Sequence, residues 1–331
     1  MAKQEEILRI FPDYMKARWE KSLQRADKLE EIRLGIGRPV RFLIGGEEYF
    51  LSCRGYVGKG IQDAWHMTER ELDEILKNVC HYSMYAFENE IRQGFLTIPG
   101  GHRIGVAGQV ILNENGSIRN MAHIRFINIR ISHQIIGAAD EIMEYLYEDG
   151  RFCNTLLVSA PGCGKTTLLR DIVRQVSGGN VYGQGRQVGV VDERSEIAGC
   201  FRGVPQNDVG IRTDVLDGCP KMQGMMLLMR SMSPAVVAVD EIGGGEDMRA
   251  VYQILQCGSS VLATMHGNTM EDVHKKLNVG MTDGHVPYQP EDYFERYVFL
   301  EKKRGSFLIR EILDQKGARM EKGGGRLLCC S

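Results

Sequence analysis

Hydrophobic spacing changes period several times along the chain, and each change marks an element. Apolar residues recur at helical spacing among charged ones over residues 4–29. The run Glu31-Ile-Arg-Leu-Gly-Ile-Gly-Arg-Pro then alternates as a strand does and stops at a turn over 37–39. Residues 40–44 and 47–51, joined by Gly45-Gly46, predict a hairpin. Thr68 with Glu71 three positions on carries the signature of a capping box, which predicts a helix to about Val79. A shorter helix is expected over 84–92. Several strands follow, turned at Gly94, at 99–101 and at 113–116, the last of them near 124–131.

Gly137-Ala138-Ala139-Asp140 is small and turn-prone, and a helix is expected just after it, over 141–147. This segment marks the expected boundary between an α/β N-terminal domain at 1–136 and a second domain at 137–316. In the second domain strands alternate with helices, with buried strands at 155–158, 187–191, 235–239 and 260–264. Such alternation calls for a parallel sheet covered by helices on both faces. Residues 294–300 and 306–313 read as a closing hairpin turned at 303–305. The Gly- and Lys-rich tail at 317–331 is expected to be disordered.

Composition narrows the class. At 331 residues the chain is long for one core, and 43% hydrophobic with 25% charged residues is ordinary for a globular protein. Lys plus Arg number 41 against 43 Asp plus Glu, so no basic field advertises nucleic acid. The nine cysteines lack paired metal spacing, as suits a reducing cytosol. The start, MAKQEEILRIFPDY, is too charged for a secretory signal, and no apolar run approaches the roughly 18 residues of a membrane span. Membrane association is therefore expected only through a partner.

The chemistry begins at NTLLVSAPGCGKTTLLR, where an apolar strand runs through a Gly-rich turn into a helix. That is a phosphate-binding loop of the Walker A kind, made of Ser159, Ala160, Pro161, Gly162, Cys163, Gly164, Lys165, Thr166 and Thr167. The glycines let backbone N–H groups converge on an anion, and the helix turns its positive end toward the same point. Lys165 is expected to reach the β- and γ-phosphates of ATP, and the Thr166 hydroxyl to hold Mg²⁺. Ser159 stands where the pattern asks for glycine, a position that a small residue satisfies if its φ stays negative.

Ligands of such sheets sit at the carboxyl ends of the strands. Three apolar runs end in polar residues there: VVAVDEIGG at Asp240 and Glu241, VGVVDERSEI at Asp192 and Glu193, and GSSVLATMHGNT at Thr264 and His266. Asp240 and Asp192 suit Mg²⁺; Glu241 or Glu193 suits the polarising of an attacking water, with His266 beside them.

Taken together, APGCGKTTLLRD, VVDERSEIAG, PAVVAVDEIG, ATMHGNT, EIRLGIGRP and GGHRIGVAG resemble the secretion ATPase superfamily that powers type II and type IV secretion and pilus machines. Within it, the blocks look like those of the ATPases assigned to the channel from mother cell to forespore in endospore-forming bacteria. The resemblance implies a RecA-like P-loop NTPase core, a homo-hexameric ring with the N-terminal domain stacked on it, and ATP bound between the two. It also implies an integral membrane partner and a cytoplasmic location on the mother cell side. In this superfamily arginines complete the site, which points to Arg103, Arg125 and Arg130 in the N-terminal domain and Arg230 in LLMRSMSP. Asp240-Glu241 departs from the family pattern, in which many members have only a Glu after a Gly. The competing class is a nucleic-acid-dependent RecA-like ATPase; near-neutral charge and the lack of an aromatic-interleaved basic stretch weigh against it, and no nucleic acid partner is expected. A scaffold that binds ATP without turnover is the third class, with Ser159 as its support.

Overall fold

Pro12 breaks the first amphipathic stretch into two helices, α1 (Ala2–Leu8) and α2 (Asp13–Ser22), because its ring cannot join the interior of a helix. The computed structural model describes residues 2–23, 28–278, 289–303 and 306–321. The chain divides into two units, Met1–His133 and Gln134–Ser331.

In the N-terminal unit, seven strands form one sheet in the order β4-β3-β2-β1-β7-β6-β5. They are β1 (Leu29–Gly35), β2 (Arg41–Ile44), β3 (Glu47–Leu51), β4 (Val57–Gly58), β5 (Phe95–Ile98), β6 (His102–Leu112) and β7 (Ile118–Arg130). Every strand pairing is antiparallel, so this unit is an antiparallel sheet with helices packed on it. Alternate residues Ile32, Leu34, Phe42, Ile104, Ile127 and Ile129 enter a core shared with Trp19 of α2. α3 (Glu69–Val79) adds Leu72, Ile75, Leu76 and Val79, spaced i, i+3, i+4, i+7 on one helical face. Its N-terminus is the expected capping box: Thr68 Oγ1 accepts the Glu71 N–H, and the Glu71 carboxylate accepts the Thr68 N–H. The expected helix over 84–92 is a 3₁₀ turn, Met84–Phe87, followed by α4 (Glu88–Gln93).

The C-terminal unit is built on a second seven-stranded sheet, ordered β12-β11-β13-β14-β10-β15-β16. After a two-stranded ribbon, β8 (Tyr147–Glu148) and β9 (Arg151–Phe152), come β10 (Thr155–Ser159), α5 (Lys165–Gly178), β11 (Val188–Asp192), β12 (Thr213–Asp217) and α6 (Lys221–Ser231). The chain continues through β13 (Val236–Val239), α7 (Gly245–Gln256), β14 (Ser260–His266), α8 (Met270–Asn278), β15 (Arg296–Lys303) and β16 (Ser306–Asp314). Within the seven-stranded sheet all pairings are parallel except that of β15 with β16. Both faces are buried, as the unbroken apolar strands require. Leu157, Val190, Ala238 and Leu262 pack on Leu168, Leu169 and Ile172 of α5, while Leu156, Val191, Val239 and Ala263 pack with Leu228, Val251 and Val273 of the other helices. Each such Val, Leu or Ile side chain contributes roughly 1.5–3 kcal/mol through its removal from water.

Several expectations are corrected. The helix expected over 141–147 is a 3₁₀ turn, Met143–Leu146, running into β8. The strand β12, TDVLD, went unforeseen; it is only partly buried at the edge of the sheet. The Gly137-Ala138-Ala139 segment is fastened to α5, because Asp171 accepts the N–H groups of Gly137 at 3.2 Å and of Ala139 at 2.9 Å. Of the tail, 322–331 lies outside the described residues, whereas Met320 donates its N–H to Ile312 at 2.9 Å and Arg319 bridges Leu313. Residues 304 and 305 of the expected hairpin turn also lie outside the described residues.

Candidate functional site

Ser159 closes β10, fully buried, in register with His266 at the end of β14. Its φ is not among the positive values, so a Cβ is tolerated there. The chain then turns through Ala160, Pro161, Gly162 and Cys163, with Gly162 at φ +72° and Gly164 at φ +85° as the N-cap of α5. A Cβ on Gly164 would lie 2.7 Å from the ring of Phe307, so this position excludes side chains twice over, by conformation and by contact.

Lys165 folds back over the loop that it ends. Its Nζ donates to Ser159 O at 3.0 Å, Ser159 Oγ at 3.2 Å, Ala160 O at 3.1 Å and His266 Nδ1 at 3.0 Å. Burial lowers the pKa of this ammonium, against the pull of Asp240 and other negative neighbours. Beside it, Thr166 Oγ1 donates to Asp240 Oδ2 at 3.2 Å.

Since β10, β14 and β13 are neighbours, their ends converge. The Thr264 hydroxyl donates to Asp240 Oδ1 and accepts the Glu241 N–H at 2.8 Å. Glu241 sits in the left-handed region at φ +59°, and its carbonyl accepts a bond from Lys221 Nζ at 2.6 Å. One carboxylate oxygen, Oε1, is 2.5 Å from His266 Nε2; the other, Oε2, is 2.7 Å from Arg194 Nη1. An ammonium can only donate, so Nδ1 of His266 must accept from Lys165, which leaves the ring proton on Nε2 facing Glu241. Glu193 joins the cluster through the same lysine, with Oε2 3.5 Å from Lys221 Nζ.

Asp192 is the clear correction. Its carboxylate is 1% exposed and accepts the N–H groups of Glu196, Ile197 and Ala198 at 2.8, 3.0 and 2.8 Å. Burial raises its pKa while those three bonds oppose the shift. It anchors its own loop, with three of its lone pairs already taken by backbone N–H groups, and this burial in the loop sets it apart from the Thr166–Asp240 pair. Arg230 lies in the last turn of α6, exposed. Arg103, Arg125 and Arg130 lie in the N-terminal unit. Arg103 and Arg130 are register partners, with the Arg103 guanidinium 3.6 Å over the Phe95 ring, Arg130 4.0 Å from Glu31, and Arg125 exposed on β7. The Thr264 strand end read from the sequence is part of the cluster, whereas sequence reasoning missed Arg194 and Lys221; these charged side chains sit in or after loops, where spacing gives no signal.

The family model for sporulation stage III, protein AA, matches residues 1–320. The chain belongs to this family. Stage III sporulation protein AA of Bacillus subtilis (strain 168) is 39% identical to it over 325 residues, which is 98% of this chain and 99% of that protein. Two solved structures share its fold. The Legionella pneumophila ATPase DotB aligns at a TM-score of 0.57 and 15% identity, covering 92% of this chain and 81% of that one. The pilus retraction motor PilT with bound ADP aligns at 0.59 and 15%, covering 87% and 80%. The resemblance to secretion ATPases read from the sequence blocks is thus borne out for the family and for the fold.

In this member of the sporulation stage III protein AA family, the residues present fit a nucleotide and a divalent cation. Gly162 and Gly164 hold the left-handed turns that a phosphate cradle needs. The Thr166 hydroxyl and the Asp240 carboxylate, 3.2 Å apart, are hard oxygen donors suited to Mg²⁺. The three-residue group Glu148, Cys153 and Glu295 is no rival metal site, because Arg151 already takes Glu295 in two hydrogen bonds and burial pushes the Cys153 thiol up to about 11. Among the described residues no helix is long and apolar enough to cross a membrane.

Proposed function

We propose that this chain is an ATP-hydrolysing motor of the secretion ATPase type. One observation carries the reading: Lys165, the Thr166–Asp240 pair and the Glu241 carboxylate meet at adjacent strand ends, joined through His266. Lys165 exchanges its partners within the loop for the β- and γ-phosphates of ATP, and the backbone of 160–165 cradles them. Thr166 and Asp240 hold Mg²⁺, which when bound neutralises charge on the phosphate oxygens. Glu241, fixed at its N–H by Thr264 and at its carbonyl by Lys221, orients the attacking water; His266 keeps its carboxylate aimed. Glu193, whose carboxylate lies 3.5 Å from the same Lys221, is the second candidate for that task.

The reading extends to a ring of six, to arginines Arg103, Arg130 and Arg230 serving phosphate, and to an integral membrane partner. It places the work at the channel between mother cell and forespore, on the mother cell side. Membership of the sporulation stage III protein AA family and the secretion ATPase fold support it.

Phosphate release by the purified chain with Mg²⁺ and ATP tests the reading, with and without single-stranded nucleic acid. Turnover that ignores nucleic acid and falls about a hundredfold or more in Glu241→Gln, with ATP still bound, is expected. Turnover near wild type in that variant removes Glu241 from the role. Strong stimulation by single strands favours a translocase on nucleic acid.

A further inference from the structure

Arg194 is the one charged side chain on the Glu241 carboxylate that neither the strand ends nor the phosphate loop explains. It projects from the loop after β11, 60% exposed, with Nη1 2.7 Å from Glu241 Oε2. Its base is firmly held. Asp192, two residues before it, caps the N–H groups of Glu196, Ile197 and Ala198; Ser195 Oγ donates to Asp217 at 2.5 Å. Arg170 of α5 donates from Nε to Ile197 O and from Nη2 to Glu196 O, each at 2.6 Å. The loop is thus tied to the helix whose first residue is Lys165, while the arginine side chain stays open to water.

A fixed base with a long, exposed guanidinium is the arrangement of a group that changes partners. The geometry points to Arg194 as a cation for the γ-phosphate of ATP, supplied in the same chain, which leaves Glu241 when it takes the phosphate. This rests on the phosphate-loop reading above. Arg194, the Glu241 carboxylate, the His266 imidazole and the Lys165 ammonium form one continuous chain of contacts, which places the arginine in the same cluster as the phosphate loop. The exchange is favourable because a half-exposed pair with a carboxylate is weak, whereas a guanidinium fork on phosphate oxygens forms charge-assisted bonds with matched geometry. ADP offers no γ-phosphate, so with ADP the arginine stays on Glu241.

The exchange does two things at once. It brings a cation to the oxygens on which charge grows, and it returns an uncompensated carboxylate to the water. In the reaction the water oxygen forms the new bond to the γ-phosphorus. The bond to the bridging oxygen breaks with its electron pair staying on ADP, and the water proton passes to Glu241 and then to the released phosphate. Glu241 thus takes up its role only when ATP is present.

The test is a binding cycle on the full chain with Mg²⁺, using ADP and the nonhydrolysable β,γ-imido analogue of ATP. Arg194→Ala is expected to weaken the analogue about ten- to a hundredfold and to leave ADP unchanged. Arg194→Lys, which keeps the charge and loses the fork, recovers part of the difference. Glu241→Gln weakens the competing partner and so tightens the analogue; in the Arg194→Ala background that tightening disappears. An analogue-to-ADP preference unchanged in Arg194→Ala, or an equal loss for both nucleotides, overturns the exchange. Lys165→Ala separates this from failure of the underlying reading: loss of both nucleotides there upholds the phosphate loop, whereas unchanged binding sinks the loop and the exchange together.

Discussion

Lys165 and Glu241 are joined through a single imidazole: His266 Nδ1 lies 3.0 Å from the lysine ammonium and His266 Nε2 lies 2.5 Å from the glutamate carboxylate. On the proposed reading, the residue for phosphate and the residue for water thus share one neighbour, while the other bonds of the ammonium stay within its own loop. His266→Ala is expected to lower kcat about a hundredfold while ADP affinity changes by less than about threefold. Steady-state phosphate release beside ADP titration checks this. Equal losses in both would mean that the histidine shapes the loop and not the carboxylate.

Lys165→Ala should abolish nucleotide binding and leave the fold intact. The side chain spends its bonds on the backbone of its own loop and on His266, not on the hydrophobic core. Loss of affinity of about a hundredfold or more, with a melting temperature within a few degrees of wild type, is the expected pair of results. ATP binding at wild-type strength in a folded variant refutes the phosphate loop.

Gly164→Ala tests the backbone of the same loop. The methyl group meets the Phe307 ring at 2.7 Å and forces an alanine to φ +85°. A loss of about 2–4 kcal/mol in denaturant unfolding is expected, together with weaker ADP binding. Gly162→Ala, where the same kind of φ meets nothing within 4 Å, should cost less. Equal costs at the two positions would show that conformation alone decides.

Acid stability turns on His102 of the N-terminal unit. Burial, with Lys3 and His133 adding to it, lowers its pKa from 6.5 to about 4, although Glu6 lies 3.6 Å from Nε2. Between those two values the unfolded chain binds a proton that the folded chain refuses, so stability falls as the pH drops from 6.5 toward 4 and levels off below. The full loss is about 3 kcal/mol. Urea unfolding of wild type and His102→Gln across that window checks it; a slope that survives in the variant assigns the effect to other groups.

The sequence made the centre of the site legible because each residue there is fixed by a local rule. Lys165 and Thr166 follow a glycine turn, while Asp240 and His266 follow buried apolar runs, so a parallel sheet had to bring them to one edge. Asp192 obeyed the same rule and misled, since a carboxylate at a strand end serves equally to bind an ion or to cap the next loop, and only the three N–H groups aimed at it tell which. Arg194 lay beyond sequence reasoning: its partner Glu241 is distant in the chain and no periodicity relates the two. In the N-terminal unit the capping box at Thr68 and the hairpin over 40–51 were plain, being local. The antiparallel order of the sheet was not, because strand alternation is silent on which neighbours pair.

The clasp of Asp171 on Gly137 and Ala139 sets where the C-terminal unit can be cut free. Asp171 is 1% exposed, and besides those two N–H groups its carboxylate accepts bonds from Arg174 and Gln175. A fragment starting at Glu141 strips away the backbone donors and leaves the buried carboxylate with Arg174 and Gln175 alone, a loss of about 1.5–3 kcal/mol for each hydrogen bond to the charged group. One starting at Gln134 keeps them, and it keeps the bonds that Gln134 itself exchanges with Asp208. Those bonds of Gln134 set the start of a self-contained C-terminal unit upstream of Gly137, where the sequence alone suggests the boundary.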